Sequence, residues 1–161
     1  MTDGQVSGLA VGLRATVRAV VSQADTAASM GSGDVPVLAT PRLLALAEAA
    51  TVAAVAPHLG AGQTSVGTAA RLEHRRPSPL GAELWVEAEL TQVDGPRLVF
   101  MFIARGTVPA AGDRAGAGAG CGGGAGGADG DDEVIGAGTV ERVVLNRERF
   151  LARLTGPPSP A

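Results

Sequence analysis

The sequence predicts an α+β domain in which one long, mostly apolar helix is wrapped by a curved antiparallel sheet. Two observations carry that expectation. The stretch Ala39 to Leu59 combines helical spacing with a marked start and a marked stop. The other long patterned runs alternate or stay apolar as strands do, one before the helix and four after it. With 161 residues, 45% of them hydrophobic and 18% charged, the chain has the length and composition of one globular domain with a real core.

Taken in order, residues 1–12 are small, polar and glycine-bearing, a flexible lead-in to a domain spanning 13–154. From Arg14, the residues Ala15, Val17, Ala19 and Val21 alternate with Arg14, Thr16, Arg18 and Val20, which gives a strand with one wetter face. Ser22 to Ala39 has no period and contains Met30-Gly31-Ser32-Gly33-Asp34, so it reads as a loop feeding the helix.

Thr40 stands where a capping hydroxyl accepts a hydrogen bond from an orphan backbone N–H, and Pro41 fits the first helical position, where its missing donor costs nothing. Pro57 and Gly60 mark the far end. Leu43, Ala47, Ala50 and Ala54 recur at helical spacing, as do Leu46, Ala49 and Ala53, so apolar surface covers most of the cylinder and burial is expected. One carboxylate, Glu48, interrupts it. Burying an unpaired carboxylate is costly enough that the group must shift its pKa, find a partner or face a cleft.

After a Gly60-Ala61-Gly62 turn come four strand-like runs: Thr64 to His74, Glu83 to Val93, Arg97 to Arg105 and Glu133 to Leu145. Asp94-Gly95 is a hairpin signal between the second and third, with Pro96 fixing the exit. The third, with Leu98-Val99-Phe100-Met101-Phe102-Ile103, reads as buried on both faces. A short helix from Asn146 to Leu154 is expected to turn Phe150, Leu151 and Leu154 inward. Residues 110–132 are mostly Gly and Ala; glycine loses the most backbone entropy on ordering, so this reads as a disordered insertion in a hairpin. A phosphate cradle is not indicated, because the run lacks a Gly-Lys-Ser/Thr end and opens no helix. Residues 155–161 form a proline-rich tail.

Strand, loop, long helix and then a four-stranded antiparallel meander is the hotdog arrangement. Such a sheet leaves an edge and a helix flank uncovered, which a homodimer, or a dimer of dimers, would bury. A net charge of −3 argues against nucleic-acid binding. The helix, broken by Glu48, Thr51 and Pro57, is not a membrane span. A single cysteine, Cys121, and no charged start with an apolar core behind it point to a reducing, cytoplasmic setting.

Three polar residues stand where chemistry is plausible: Thr40, Glu48 and His74. On a regular helix Thr40 and Glu48 lie roughly 80° apart about the axis and about 12 Å apart along it, too far to touch but able to border one cavity across a dimer interface. The structural alternatives are a simple cap for Thr40, an ion-paired carboxylate for Glu48 and an ordinary strand-end imidazole for His74. His58 reads as a solvated residue at a helix end, and Cys121, within the glycine tract, has no case for catalysis.

The segments Ala39-Thr40, Leu46-Ala47-Glu48-Ala49-Ala50, Val55-Ala56-Pro57-His58-Leu59, Ser65-Val66-Gly67-Thr68, His74 and Gly136-Ala137-Gly138-Thr139-Val140-Glu141-Arg142 together resemble the fluoroacetyl-CoA thioesterase family of hotdog proteins. The resemblance covers about residues 11–154, without the glycine-rich insertion. It implies a homodimeric acyl-CoA thioesterase with Thr40, Glu48 and His74 as the catalytic set, Gly67 beside the thioester carbonyl and Arg142 helping to hold substrate. It implies no metal and no cofactor beyond the coenzyme A thioester that is consumed.

That set suits thioester hydrolysis, which needs a nucleophile or activated water, a proton carrier and donors for the developing oxyanion. Glu48 would attack or activate water, His74 would carry the proton at neutral pH, and Thr40 would orient one of them. Arg71, Arg75 and Arg76 are candidates for the coenzyme A phosphates, with a solvated surface role as the alternative. Family members selective for the fluorinated substrate carry aromatic residues before the helix; Asp25 to Ala39 has none, which points to general short-chain acyl-CoA hydrolysis. The rival expectations are a hotdog hydratase, disfavoured by the absence of that family's Asp and His pairing, and a non-catalytic acyl-CoA-binding sensor.

Overall fold

Alternation in the first strand and helical spacing after Thr40 build two elements that meet face to face. The structure, a computed structural model, describes residues 8–107 and 132–154. Strand β1 spans Arg14–Val20, the one-turn helix α1 Ala27–Met30, the long helix α2 Thr40–Val55, β2 Gln63–His74, β3 Glu83–Asp94, β4 Arg97–Thr107, β5 Asp132–Asn146 and α3 Arg147–Leu154. The five strands form one antiparallel sheet in the order β1-β3-β4-β5-β2, and α2 lies across one face of it, touching every strand. This is the expected hotdog arrangement.

The core lies between α2 and the sheet's inner face. Leu84, Val86, Ala88 and Leu90 of β3 and Leu98, Phe100, Phe102 and Ala104 of β4 alternate inward. They meet Leu43, Leu46, Ala47, Ala50 and Ala54 of α2. Close approach is built into β5 at Gly138, where a Cβ would overlap the Arg71 carbonyl oxygen of β2 and lie 2.9 Å from Phe102 Cε1.

Several expectations are corrected. The four later strands are not a simple meander: β3-β4-β5 is one, but β2 crosses to the far edge and pairs only with β5 among the described residues. The helix separates β1 from β2, so the two strands flank it at opposite edges of the sheet. Strand β4 is central but alternates between faces, with Met101 55% and Ile103 39% exposed on the outer one. Helix α2 is buried on one face, while Pro41, Ala45, Ala49 and Val52 are exposed. In α3, Phe150, Leu151 and Leu154 are exposed instead of turned inward. The glycine-rich stretch at 110–132 lies outside the described residues except for Asp132, which begins β5; the tail at 155–161, Cys121 and residues 1–7 of the lead-in lie outside them too.

The segment before α2 is ordered by short-range polar contacts that hydrophobic periodicity does not register. Asp25 accepts from the Ser22 backbone at 2.8 Å and from its hydroxyl at 2.6 Å. Thr26 accepts from the Ser29 N–H and so caps α1, which ends on Gly31 at φ 68°. The Ala39 N–H donates to the Asp25 carbonyl, and Arg42 pairs with Asp25 at 2.6 Å, so the start of α2 is tied to this loop.

Candidate active site

The cap of α2 is Ala39, and Thr40 is the first helical residue. Its hydroxyl is therefore not spent on the helix, which corrects the capping expectation. Thr40 Oγ1 instead lies 3.0 Å from His74 Nδ1, a hydrogen bond between the first turn of α2 and the last residue of β2. His74 Nε2 is buried and has no hydrogen-bond partner among the described residues. Burial holds the imidazole below its ordinary pKa, with the Arg76 backbone working the other way, so the neutral form dominates at neutral pH.

The pair opens on a cleft of about 280 Å³ walled by Ala27, Val35, Val37 and Leu38 and rimmed by Arg75, Arg76 and Pro77. Of the basic residues proposed for phosphate contact, Arg75 pairs with Glu73 at 2.8 Å, Arg71 approaches the same carboxylate at 3.5 Å, and Arg76 pairs with Glu133. His58 sits exposed in a short turn after α2, as expected.

Glu48 lies two turns further along α2, with its side chain 42% exposed. Its carboxylate fills the space beside Gly67 of β2: a Cβ there would stand 2.5 Å from Glu48 Oε1. Arg142 Nη1 is 3.9 Å from the same oxygen. The chain thus carries two polar groupings, Thr40 with His74 and Glu48 with Gly67 and Arg142, at different points along β2.

A β-bulge decides which way these groupings face. Gly67 pairs with Arg142 and Ala69 with Glu141, so Thr68 is an extra residue in β2. Residues seven apart on a regular strand point to opposite sides. With Thr68 inserted, Gly67 and His74 both sit on the inner face, opposite the buried Arg142 and Gly136 of β5. The sequence reading did not anticipate this, because an extra threonine in a strand has no compositional signature.

Arg142 is only 6% exposed. Its guanidinium donates to Ser65 Oγ and the Ser65 carbonyl, both at 3.0 Å, and to Thr51 Oγ1 at 3.4 Å. Burial pushes its pKa down and Glu48 works against that. Thr51 and Ser65 were not among the site residues expected from the sequence. A signal for Arg142 was present: it falls in phase with Val140 and Val144, on the apolar side of its strand. Among the described residues no three His, Cys, Asp or Glu side chains gather as a metal site, and no helix is long and apolar enough to cross a membrane.

Comparison with known proteins places these groups in context. Residues 21–112 match the family described as fluoroacetyl-CoA-specific thioesterase. Over 118 residues the chain is 36% identical to the fluoroacetyl-CoA thioesterase of Streptantibioticus cattleyicolor, an alignment spanning 73% of this chain and 68% of that protein. The solved structure of a threonine-to-serine mutant of a fluoroacetyl-CoA thioesterase, in complex with acetyl-CoA, is similar with a TM-score of 0.71 and 29% identity, covering 91% of this chain and 97% of that one. A hot-dog-like protein from Thermanaerovibrio acidaminovorans shares the fold at a TM-score of 0.69 and 20% identity, covering 92% and 94% of the two chains.

Proposed function

The chain belongs to the fluoroacetyl-CoA-specific thioesterase family and is a thioester hydrolase, and on that footing we propose that it cleaves short-chain acyl-CoA thioesters as a homodimer, with Thr40, Glu48 and His74 at the site. The Glu48 carboxylate takes a proton from water, whose oxygen adds to the thioester carbonyl carbon. Backbone N–H groups at the start of α2 receive the developing oxyanion. The C–S bond then breaks, and the proton reaches the departing sulfur by way of His74, whose ring is steadied by Thr40. Small aliphatic walls around the cleft, without a Phe, Tyr or Trp among its lining residues, favour a short acyl group over selection for fluorine. A reducing, cytoplasmic setting belongs to the same reading.

The spacing of the two groupings supports the homodimer. On one helix Glu48 stands about 12 Å along the axis from Thr40, so a single chain keeps the carboxylate away from the imidazole. One edge of β2 pairs with β5, and its other edge pairs with no strand among the described residues. Two such edges joined antiparallel about a twofold axis between Gly67 and His74 would set Gly67 opposite His74 of the partner subunit. The bulge at Thr68 is the observation that carries this reading, because it puts both residues on the inner face. Each dimer would then hold two complete sites.

Mixing two inactive subunits tests the arrangement. Co-expressed Glu48→Gln and His74→Ala chains should recover about a quarter of wild-type thiol release, since half the dimers are mixed and each mixed dimer regains one intact site. No recovery, with mixed dimers demonstrated by gel filtration and tag pull-down, would overturn the shared site.

A further inference from the structure

Thr51 and Ser65 have no part in the chemistry above, yet both bind the one side chain that stands behind the proposed carboxylate. Thr51 is completely buried in α2. Its hydroxyl donates to the Glu48 carbonyl at 2.6 Å. Since a hydroxyl has one proton, only its lone pairs remain for Arg142, and Nη1 donates to them at 3.4 Å. From the opposite side Ser65 takes two more donors of the same guanidinium through its hydroxyl and its carbonyl. The planar fork is therefore held between helix and strand, and Nη1 is turned toward Glu48 Oε1.

This arrangement separates two roles for Arg142. A substrate anchor needs free donors at an accessible surface. Here the guanidinium is nearly enclosed and three of its N–H groups are committed within the protein. Nη1 also stands 3.9 Å from Oε1 of the carboxylate that presses against Gly67. Glu48 is flexible and partly exposed, so a fixed cation on one side and a missing Cβ on the other define where its oxygens sit.

We propose that Thr51 and Ser65 are positioning residues that lock the Arg142 guanidinium, and through it hold the Glu48 carboxylate in its reactive orientation against Gly67. The proposal rests on the reading of Glu48 as the catalytic acid group.

The test is steady-state thiol release from acetyl-CoA by wild type, Thr51→Val, Thr51→Ser, Ser65→Ala and Glu48→Gln, with Thr51→Val also placed in the Glu48→Gln background and read by single turnover. Thr51→Val keeps the shape and removes the acceptor; kcat should fall about tenfold with KM within about twofold, and Thr51→Ser should restore kcat. Ser65→Ala should act in the same direction, and it decides the matter if Thr51→Val does not fold. In the Glu48→Gln background Thr51→Val should have no further effect, because the group it positions is gone. The inference is overturned by wild-type kcat in Thr51→Val and Ser65→Ala, by a change confined to KM, or by an equal loss in the Glu48→Gln background. Wild-type turnover in Glu48→Gln alone would instead overturn the reading of the carboxylate itself.

Discussion

The Glu48 carboxylate occupies the space that a side chain at Gly67 would need, with Oε1 only 2.5 Å from where a Cβ would stand. Helix and strand therefore meet at a point where one contributes an acid and the other contributes nothing. The obstructing atom is the end of a flexible side chain and not backbone, so a substitution at Gly67 moves the carboxylate more readily than it breaks the fold.

Gly67→Ala should thus reduce kcat by about tenfold to a hundredfold, the usual consequence of shifting a catalytic group by about an ångström. Its melting temperature should stay near the wild-type value. Kinetics and thermal melts on the same preparation check both halves.

Thr40 separates a helix cap from a site residue. Loss of a capping hydroxyl costs about 0.5–2 kcal/mol, but Ala39 is the cap here and Thr40 bonds His74. Thr40→Ala should cost about the 0.5–1.5 kcal/mol of one hydrogen bond in urea unfolding, a loss that the His74→Ala background should abolish, while lowering kcat by about tenfold or more, and Thr40→Ser should preserve activity.

The lowered pKa of His74 gives a signed pH dependence. Burial favours its neutral form in the folded chain, so above the ordinary imidazole value of 6.5 the contribution to stability is fully present. It is lost as pH falls through the lower folded value, because the unfolded chain binds the proton more readily. Between about pH 7.5 and about pH 5, wild type should lose more stability than His74→Gln, measured as the change in melting temperature. Thiol release should fall on the acid side of neutrality as the proton acceptor is lost.

Gly138 tests the packing of β2 on β5. A Cβ there meets backbone, the Arg71 carbonyl, as well as Phe102, and backbone does not yield cheaply. Gly138→Ala should destabilise by about 1–3 kcal/mol and loosen β2, the strand that carries Gly67 and His74. Hydrogen exchange should rise across Gln63–His74 more than in β3.

The parts of the fold governed by local pattern were readable from the chain. The start of α2, the Asp94-Gly95 hairpin and the bounds of β2, β3 and β5 all follow from spacing and turn residues, and the structure places them within a residue or two of expectation; α2 itself ends at Val55, four residues before Leu59, where a short 3₁₀ turn over Ala56–His58 takes over. What failed depends on distant partners. The crossing of β2 to the far edge is a matter of how strands rank about the helix. The outward face of β4 and the exposed side chains of α3 fail because a hydrophobic pattern says that a face is apolar, not what covers it. At the site, Thr40, Glu48 and His74 were visible as polar residues out of pattern, and Gly67 only through the family resemblance. The pairing of Thr40 with His74, thirty-four residues apart, and the anchoring of Arg142 by Thr51 and Ser65 were not, since each joins groups through the sheet register.

Thiol release from acetyl-CoA and longer acyl-CoA thioesters, by wild type and by Glu48→Gln and His74→Ala with folding verified by circular dichroism, bears most directly on the whole account. Wild type should turn over the short substrates, and each variant should fall by about a hundredfold or more. Saturable binding of acyl-CoA by wild type without any thiol release, or undiminished turnover in both variants, would contradict it.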